Sequence, residues 1–187
     1  MYIDAKLMTS PAISRCYPDH AAKRALWLGE ILPALFQLPA LILQNPLEVG
    51  ALQAWLNEGG LSLDLEGQNV TPHLLWRLHE LARCGEYIPL PAPCDVIYWP
   101  SQVFAAGGKC SDWVLTLGTV LTAWGRPWRI ASAGDDVDPF QHVWIQTVDS
   151  SGVWRNIDPK GSQRGLEFGD QVRPGENFPG VWIWERR

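Results

Sequence analysis

The sequence lacks any cluster of positive charge. It has a formal net charge of −5 at pH 7, and its 15 lysines and arginines are scattered along the chain. Binding to the phosphate backbone of a nucleic acid depends on a basic patch or stripe. We therefore expect no nucleic-acid partner.

A cysteine motif is also missing. The four cysteines, Cys16, Cys84, Cys94 and Cys110, show no C-x-x-C spacing, so neither a metal site nor a disulfide framework is indicated. Cys16 and His20 would share a face if this segment were helical, but no second pair with ligand spacing accompanies them. We predict no metal and no cofactor. The N-terminus shows no signal-peptide pattern, so reduced thiols and a cytoplasmic location are the simplest prediction.

Long hydrophobic runs are absent as well. The most apolar stretch, residues 21–43, is interrupted by Glu30, Pro33, Gln37 and Pro39. No uninterrupted part of it approaches the roughly 20 residues that a membrane-spanning helix needs. We therefore predict no transmembrane segment, and we expect the prolines to break any single long helix. Two interpretations stay open: core helices, which we favour, or an apolar docking surface for another subunit.

Length and composition are typical of one domain. The 187 residues provide enough apolar content for a core. We expect a helical N-terminal extension over residues 1–69 and a core over residues 70–187. Helices are predicted from Pro46 to Asn57 and from the cap Thr71 to Arg83. The eleven tryptophans are assigned to core packing, with stacking on a sugar or peptide as the alternative.

A cysteine stands at the predicted start of another helix. After Cys110, apolar residues recur at helical spacing and Gly125 ends the pattern; they are Trp113, Val114, Leu117, Val120, Leu121 and Trp124. Gly107 and Gly108 allow a tight turn into this helix. The first turn of this helix favours a thiolate at Cys110, because the positive end of the helix dipole lies there. The carboxylate of Asp112 suits the same position. The alternative is a cysteine that is merely buried.

A histidine and an aspartate follow on a predicted hairpin. Residues 141–148 and 153–157 are typical strands, separated by a turn signal at residues 149–152. Side chains alternate faces along a strand, so His142 and Asp158 share a face only if the loop is odd in length or carries a bulge. A thiol, an imidazole and a carboxylate are the parts of an activated nucleophile.

The segment Gly107–Pro159 resembles the transglutaminase-like superfamily of papain-related cysteine enzymes, especially its compact bacterial and bacteriophage members. The resemblance rests on motifs in the order Cys, His, Asp: Gly-Gly-x-Cys-x-Asp, Ala-Trp-Gly-Arg-Pro-Trp-Arg, His-Val-Trp, and Trp154 with Asp158-Pro159. Upstream, residues 99–104 are similar to a short segment that precedes the cysteine loop. One departure is Lys109, where many members have an acidic residue.

The resemblance implies an α+β fold: a nucleophile helix on an antiparallel sheet, preceded by helices. Strands are predicted at residues 128–133, 141–148, 153–157 and 181–184. The resemblance also implies a Cys110–His142–Asp158 triad that transfers acyl groups from a protein or peptide, preferably to water. Gln102, with Trp99 behind it, is the candidate oxyanion donor. The family also contains structural modules, so the alternative is a bacteriophage virion or assembly protein that binds a neighbouring subunit through the apolar N-terminal segment, with little or no catalysis.

Overall fold

Helices pack on an antiparallel sheet in this computed structural model, which describes residues 10–65, 70–88, 94–160, 168–169 and 179–186. The mixed α+β class with antiparallel sheets is confirmed. The predicted boundary at Asn69 lies outside the described residues. In chain order the elements are β1 (Ile13–Cys16), α1 (His20–Leu26), a π-helical turn (Trp27–Ile31), α2 (Leu32–Ile42), α3 (Pro46–Glu58), α4 (Pro72–Arg83), β2 (Cys94–Ile97), α5 (Pro100–Ala106), α6 (Cys110–Ala123), β3 (Trp128–Gly134), β4 (His142–Val148), β5 (Trp154–Ile157) and β6 (Gly180–Trp184).

The expectation that prolines break the N-terminal helix is wrong. α1, the π turn and α2 form one helix of 23 residues from His20 to Ile42. A proline ring clashes with the carbonyl four residues before it, which for Pro33 is that of Gly29. The π turn widens the helix there, and Leu32 N–H bonds to the carbonyl five residues back, on Trp27.

By length and composition alone, this helix is also apolar enough to cross a membrane, a test that core helices and signal sequences pass too. Its inner face packs against α6, and Ile31 and Leu35 on that face have no exposed surface. The absence of a transmembrane segment stays a prediction, and the packing favours a core helix.

The core surrounds α6, in which every residue from Ser111 to Leu121 is buried. Trp27 and Leu52, from helices within the predicted N-terminal extension, belong to the same core cluster as the buried side chains of α6 and Ile145 of β4. Five of the tryptophans are buried, in keeping with their predicted packing role, whereas Trp76 and Trp154 are exposed. The apolar pattern of α6 is therefore the pattern of a central helix.

The main sheet has the strand order β5-β4-β3-β6 and is antiparallel throughout. Its four strands lie at the predicted places. β1 and β2, which the sequence patterns did not indicate, form a separate antiparallel pair. Both strands have only four residues, too few for a clear alternation of apolar and polar side chains.

A disulfide joins Cys16 and Cys94 across the β1–β2 pair. The prediction of reduced thiols is therefore wrong for these two cysteines, and only Cys84 and Cys110 are free. The bond was not visible in the sequence because 78 residues separate its partners. Cys16 ends a strand, so the helical face it was expected to share with His20 does not exist. The cytoplasmic location stays a prediction, and this disulfide is more typical of an oxidising compartment.

Candidate active site

Cys110 is the first residue of α6, as the sequence predicts, and two glycines shape the turn before it. Gly107 has a φ of +86°, and a Cβ there would lie 2.8 Å from the Glu86 carbonyl oxygen. Gly108 N–H donates to that same carbonyl at 3.0 Å. The turn needs the conformational freedom of Gly107, and it leaves Cys110 half-buried at the helix N-terminus.

Asp112 secures the start of the helix. Its carboxylate accepts the N–H of Lys109 at 2.7 Å and the N–H of Tyr98 at 2.9 Å. Burial raises the pKa of Asp112 to about 6, although both hydrogen bonds oppose that shift. This carboxylate therefore ties the first turn of α6 to the segment that leads into α5.

The β4–β5 hairpin brings His142 and Asp158 to one face. Val148 pairs with Trp154, so the connection 149–153 has five residues, an odd number. Gly152 has a φ of +80° in this connection. The register pairs Ile145 with Ile157. Continued by one residue, it sets Asp158 opposite Trp144, two residues from His142 and on the same face.

The three predicted catalytic side chains meet at the end of β4. His142 Nε2 lies 2.7 Å from Asp158 Oδ2, and both residues are buried. The Cys110 thiol hydrogen-bonds with the His142 ring and with the backbone of Val143. Because Asp158 engages Nε2, the hydrogen bond with the thiol falls to Nδ1. The sequence order Cys, His, Asp thus becomes a spatial chain of thiol, imidazole and carboxylate.

The electrostatics of the three side chains favour an ion pair between Cys110 and His142. Burial opposes both charges, but the hydrogen bond and negative charge of Asp158 outweigh it and raise the pKa of His142 to about 9. Burial likewise opposes a thiolate, yet the His142 hydrogen bond and charge, aided by Lys109, lower the pKa of Cys110. Both shifts favour a thiolate beside an imidazolium, the reactive form of a cysteine nucleophile.

Lys109, the residue that departs from the family pattern, points to a buried carboxylate. Its ammonium lies 2.7 Å from Asp95 Oδ1, and the Trp27 indole N–H donates to the other oxygen of Asp95 at 2.7 Å. The positive charge next to Cys110 is thus fixed in place by β2 and the N-terminal helix.

The two candidate oxyanion residues have different surroundings. Gln102 Oε1 accepts the backbone N–H of Trp99 at 3.0 Å, an arrangement that orients the Gln102 amide. The Trp99 indole donates to the Ser10 carbonyl at 3.0 Å. Trp99 therefore contacts Gln102 through its backbone N–H, and its indole is directed to Ser10.

A crevice and a cleft lie close to these side chains. The crevice between α6 and β4 that includes Cys110 and Val143 is too narrow to admit a water molecule. A mostly apolar cleft of about 350 Å³ lies beside the turn before α6. Its lining residues are Ile88, Tyr98, Gln102, Ala105, Ala106, Gly107, Gly108 and Asp112.

The sequence did not single out His79. It lies on α4, and its buried ring contacts the Asp158 carbonyl oxygen at 3.1 Å. A signal existed: His79 falls on the same helical face as the buried Leu75, Leu78 and Ala82, and a histidine on an apolar face needs a hydrogen-bond partner.

Comparison of the chain with protein-family models, curated proteins and solved structures finds no match. The family resemblance therefore rests on the motif residues, and its functional content is a proposal. Among the described residues, no group of three or more His, Cys, Asp or Glu side chains is arranged to hold a metal ion.

Proposed function

We propose that this protein is a cysteine-dependent acyl-transfer enzyme with a papain- or transglutaminase-like core, in which Cys110, His142 and Asp158 form the catalytic triad. The observation that carries the proposal is the continuous thiol–imidazole–carboxylate contact at the N-terminus of a buried helix. The lowered pKa of Cys110 and the raised pKa of His142 support it, because perturbed pKa values cluster at functional sites.

The proposed reaction begins when the Cys110 thiolate attacks the carbonyl carbon of an amide. The negative charge that forms on the carbonyl oxygen is met by the Cys110 backbone N–H and the Gln102 amide. His142 gives its proton to the leaving nitrogen as the carbon–nitrogen bond breaks, which leaves an acyl thioester. Water, the acceptor we favour, then attacks the thioester while His142 takes up its proton. The carbon–sulfur bond breaks and the thiolate returns.

The substrate approaches from the cleft. The crevice on the core side of Cys110 has no room for a ligand, whereas the cleft of about 350 Å³ is lined by Gln102 and by Gly108, which lies two residues before the nucleophile. An apolar cleft of this size suits a side chain of a protein or peptide substrate.

A second candidate function has one observation in its favour. The helix His20–Ile42 leaves Leu28 and Leu41 exposed, at 41% and 56%. Exposed apolar side chains on one helix are compatible with an assembly contact, such as that of a virion protein that keeps the fold without catalysis. The same helix buries its other face in the core, so this function ranks second.

Thiol labelling tests the proposal, because the chain has only two free cysteines. We expect iodoacetamide to modify Cys110 much faster than Cys84 at pH 6 to 7, and Cys110→Ala to abolish amide hydrolysis or transfer with the fold intact. A charged substitution at Leu41 is the parallel variant for the assembly function. Loss of association in that variant, together with no measurable turnover in the wild type, would refute the enzyme proposal.

A further inference from the structure

A second set of contacts reaches Asp158 from α4. The buried His79 places Nε2 3.1 Å from the Asp158 carbonyl oxygen. A backbone carbonyl only accepts hydrogen bonds, so Nε2 carries the proton and donates it. The other ring nitrogen lies 3.2 Å from the carboxylate of Glu80, which is paired with Arg83 one turn along the helix.

The end of the same helix also holds the residue two positions after Asp158. Lys160 is buried, and its ammonium donates to the carbonyl of Gly85, just past α4. Its backbone N–H donates to Asp158 Oδ1 at 3.2 Å. Pro159, which lies between Asp158 and Lys160, restricts the backbone of Asp158. α4 and its C-terminal turn thus contact both ends of the segment 158–160.

These contacts matter because the strand stops before the carboxylate. The ladder between β4 and β5 has its last pair at Ile145 and Ile157, so Asp158 lies beyond it. The strength of the 2.7 Å contact between Asp158 and His142 depends steeply on distance and angle. The hairpin sets the face on which Asp158 lies, and contacts from outside the sheet then hold its orientation.

We propose that His79 is a positioning residue: by holding the carbonyl of Asp158, it keeps the carboxylate aligned with Nε2 of His142 and so maintains the Cys110–His142 ion pair. This inference rests on the proposed function. His79 touches neither the thiol nor the cleft in the described contacts, and it acts through Asp158 alone.

The pH dependence of Cys110 alkylation by iodoacetamide measures this effect without a substrate. The reaction follows the thiolate, whose stability depends on the imidazolium that Asp158 supports. The charged and titratable groups around the chain of contacts are Glu80, Arg83, Cys84, Lys109, Asp158 and Lys160. All of them stay unchanged in variants of His79.

Two variants separate the two ring nitrogens. Glutamine carries its amide nitrogen at about the place of Nε2, whereas asparagine carries it at about the place of Nδ1. We expect His79→Asn to move the acid-side midpoint of Cys110 alkylation upward by about one pH unit. Below the midpoint this shift corresponds to about tenfold less thiolate. We expect His79→Gln to retain nearly the wild-type profile. His73→Leu is the control, since His73 is an exposed residue of the same helix that stacks on Trp76.

The possible outcomes are distinct. A folded His79→Asn protein with the wild-type profile would overturn the positioning role, and so would equal shifts in the asparagine and glutamine variants. If His79→Asn does not fold, His79→Leu replaces it and is held to the same comparison with glutamine. A wild-type Cys110 that reacts no faster than Cys84 would overturn the proposed function, and with it this role. That result comes from the wild type alone and is therefore distinguishable.

Discussion

The ammonium of Lys109 lies 2.7 Å from the carboxylate of Asp95, and this buried ion pair joins β2 to the residue directly before the candidate nucleophile. Both side chains are about one-tenth exposed. The pair therefore contributes to the stability of the protein and also holds the residue next to Cys110.

Lys109→Met should destabilise the protein strongly. It leaves the Asp95 charge buried with the Trp27 indole as its remaining described hydrogen-bond partner, and breaking one side of a buried pair costs about 3 to 5 kcal/mol. Urea unfolding measures the loss.

The exposed pair of Arg15 and Glu30 is the control, with side chains 54% and 56% exposed. Glu30→Gln should change the free energy of unfolding by no more than about 1 kcal/mol. Adding Asp95→Asn to Lys109→Met should recover part of the loss, because the unpaired charge is then removed. Equal effects of Lys109→Met and Glu30→Gln would contradict the importance of the buried pair.

Asp158→Asn should narrow the pH range in which Cys110 and His142 form an ion pair. The wild-type ion pair exists above the lowered pKa of Cys110 and below the pKa of His142, about 9. Removing the carboxylate takes away the main interactions that raise the pKa of His142, so the imidazolium loses its proton at lower pH. The thiolate in turn loses its support and takes up a proton at higher pH.

The rate of Cys110 alkylation across pH 4 to 10 follows the thiolate and shows the acid limit, which should move upward in the variant, with Cys84 as the internal reference. If a substrate is identified, the alkaline limb of kcat/KM should move down from about 9 in the variant. An alkylation profile identical to the wild type would show that Asp158 does not act on the thiol through His142.

Reduction of the Cys16–Cys94 disulfide should lower stability. The bond closes a separation of 78 residues, for which the chain-entropy model gives about 4.5 kcal/mol. Cys16→Ala/Cys94→Ala should reproduce the effect of a dithiol reductant on the unfolding midpoint, and should make the protein insensitive to that reductant. Cys84→Ser is the control and should retain the wild-type response. An unfolding midpoint that reductant leaves unchanged would contradict the disulfide as a stabilising bond.

Local patterns account for what the sequence predicted. α6 has strong helical periodicity and glycines at its start and just past its end, and the four strands of the main sheet are bounded by turn signals, so these elements could be located. Whether His142 and Asp158 share a face depends on the length of the loop between their strands, and the sequence spacing left that length open. The structure has a connection of five residues.

Contacts between distant segments account for what was missed. The Cys16–Cys94 bond and the contact of His79 with Asp158 join residues 78 and 79 positions apart. No local spacing encodes such pairs. The unbroken helix through Pro33 depends on a π turn, a deviation that proline content does not reveal.

Gly107→Ala should damage the candidate site, and Gly152→Ala is its matched control. Both glycines have a positive φ, +86° and +80°, where an alanine costs about 1 to 2 kcal/mol. At Gly152 no heavy atom lies within 4 Å of an added Cβ, so the loss of stability should equal the cost of the backbone conformation alone. At Gly107 the Cβ would lie 2.8 Å from the Glu86 carbonyl oxygen, so the turn that presents Cys110 must also shift.

We expect Gly107→Ala to lose clearly more stability than Gly152→Ala and to slow alkylation of Cys110 at pH 6 by about tenfold, as a displacement of the thiol from His142 that costs about one unit of pKa would do. Gly152→Ala should leave the alkylation rate unchanged. Equal alkylation rates in the two variants would mean that the turn at Gly107 does not position the thiol.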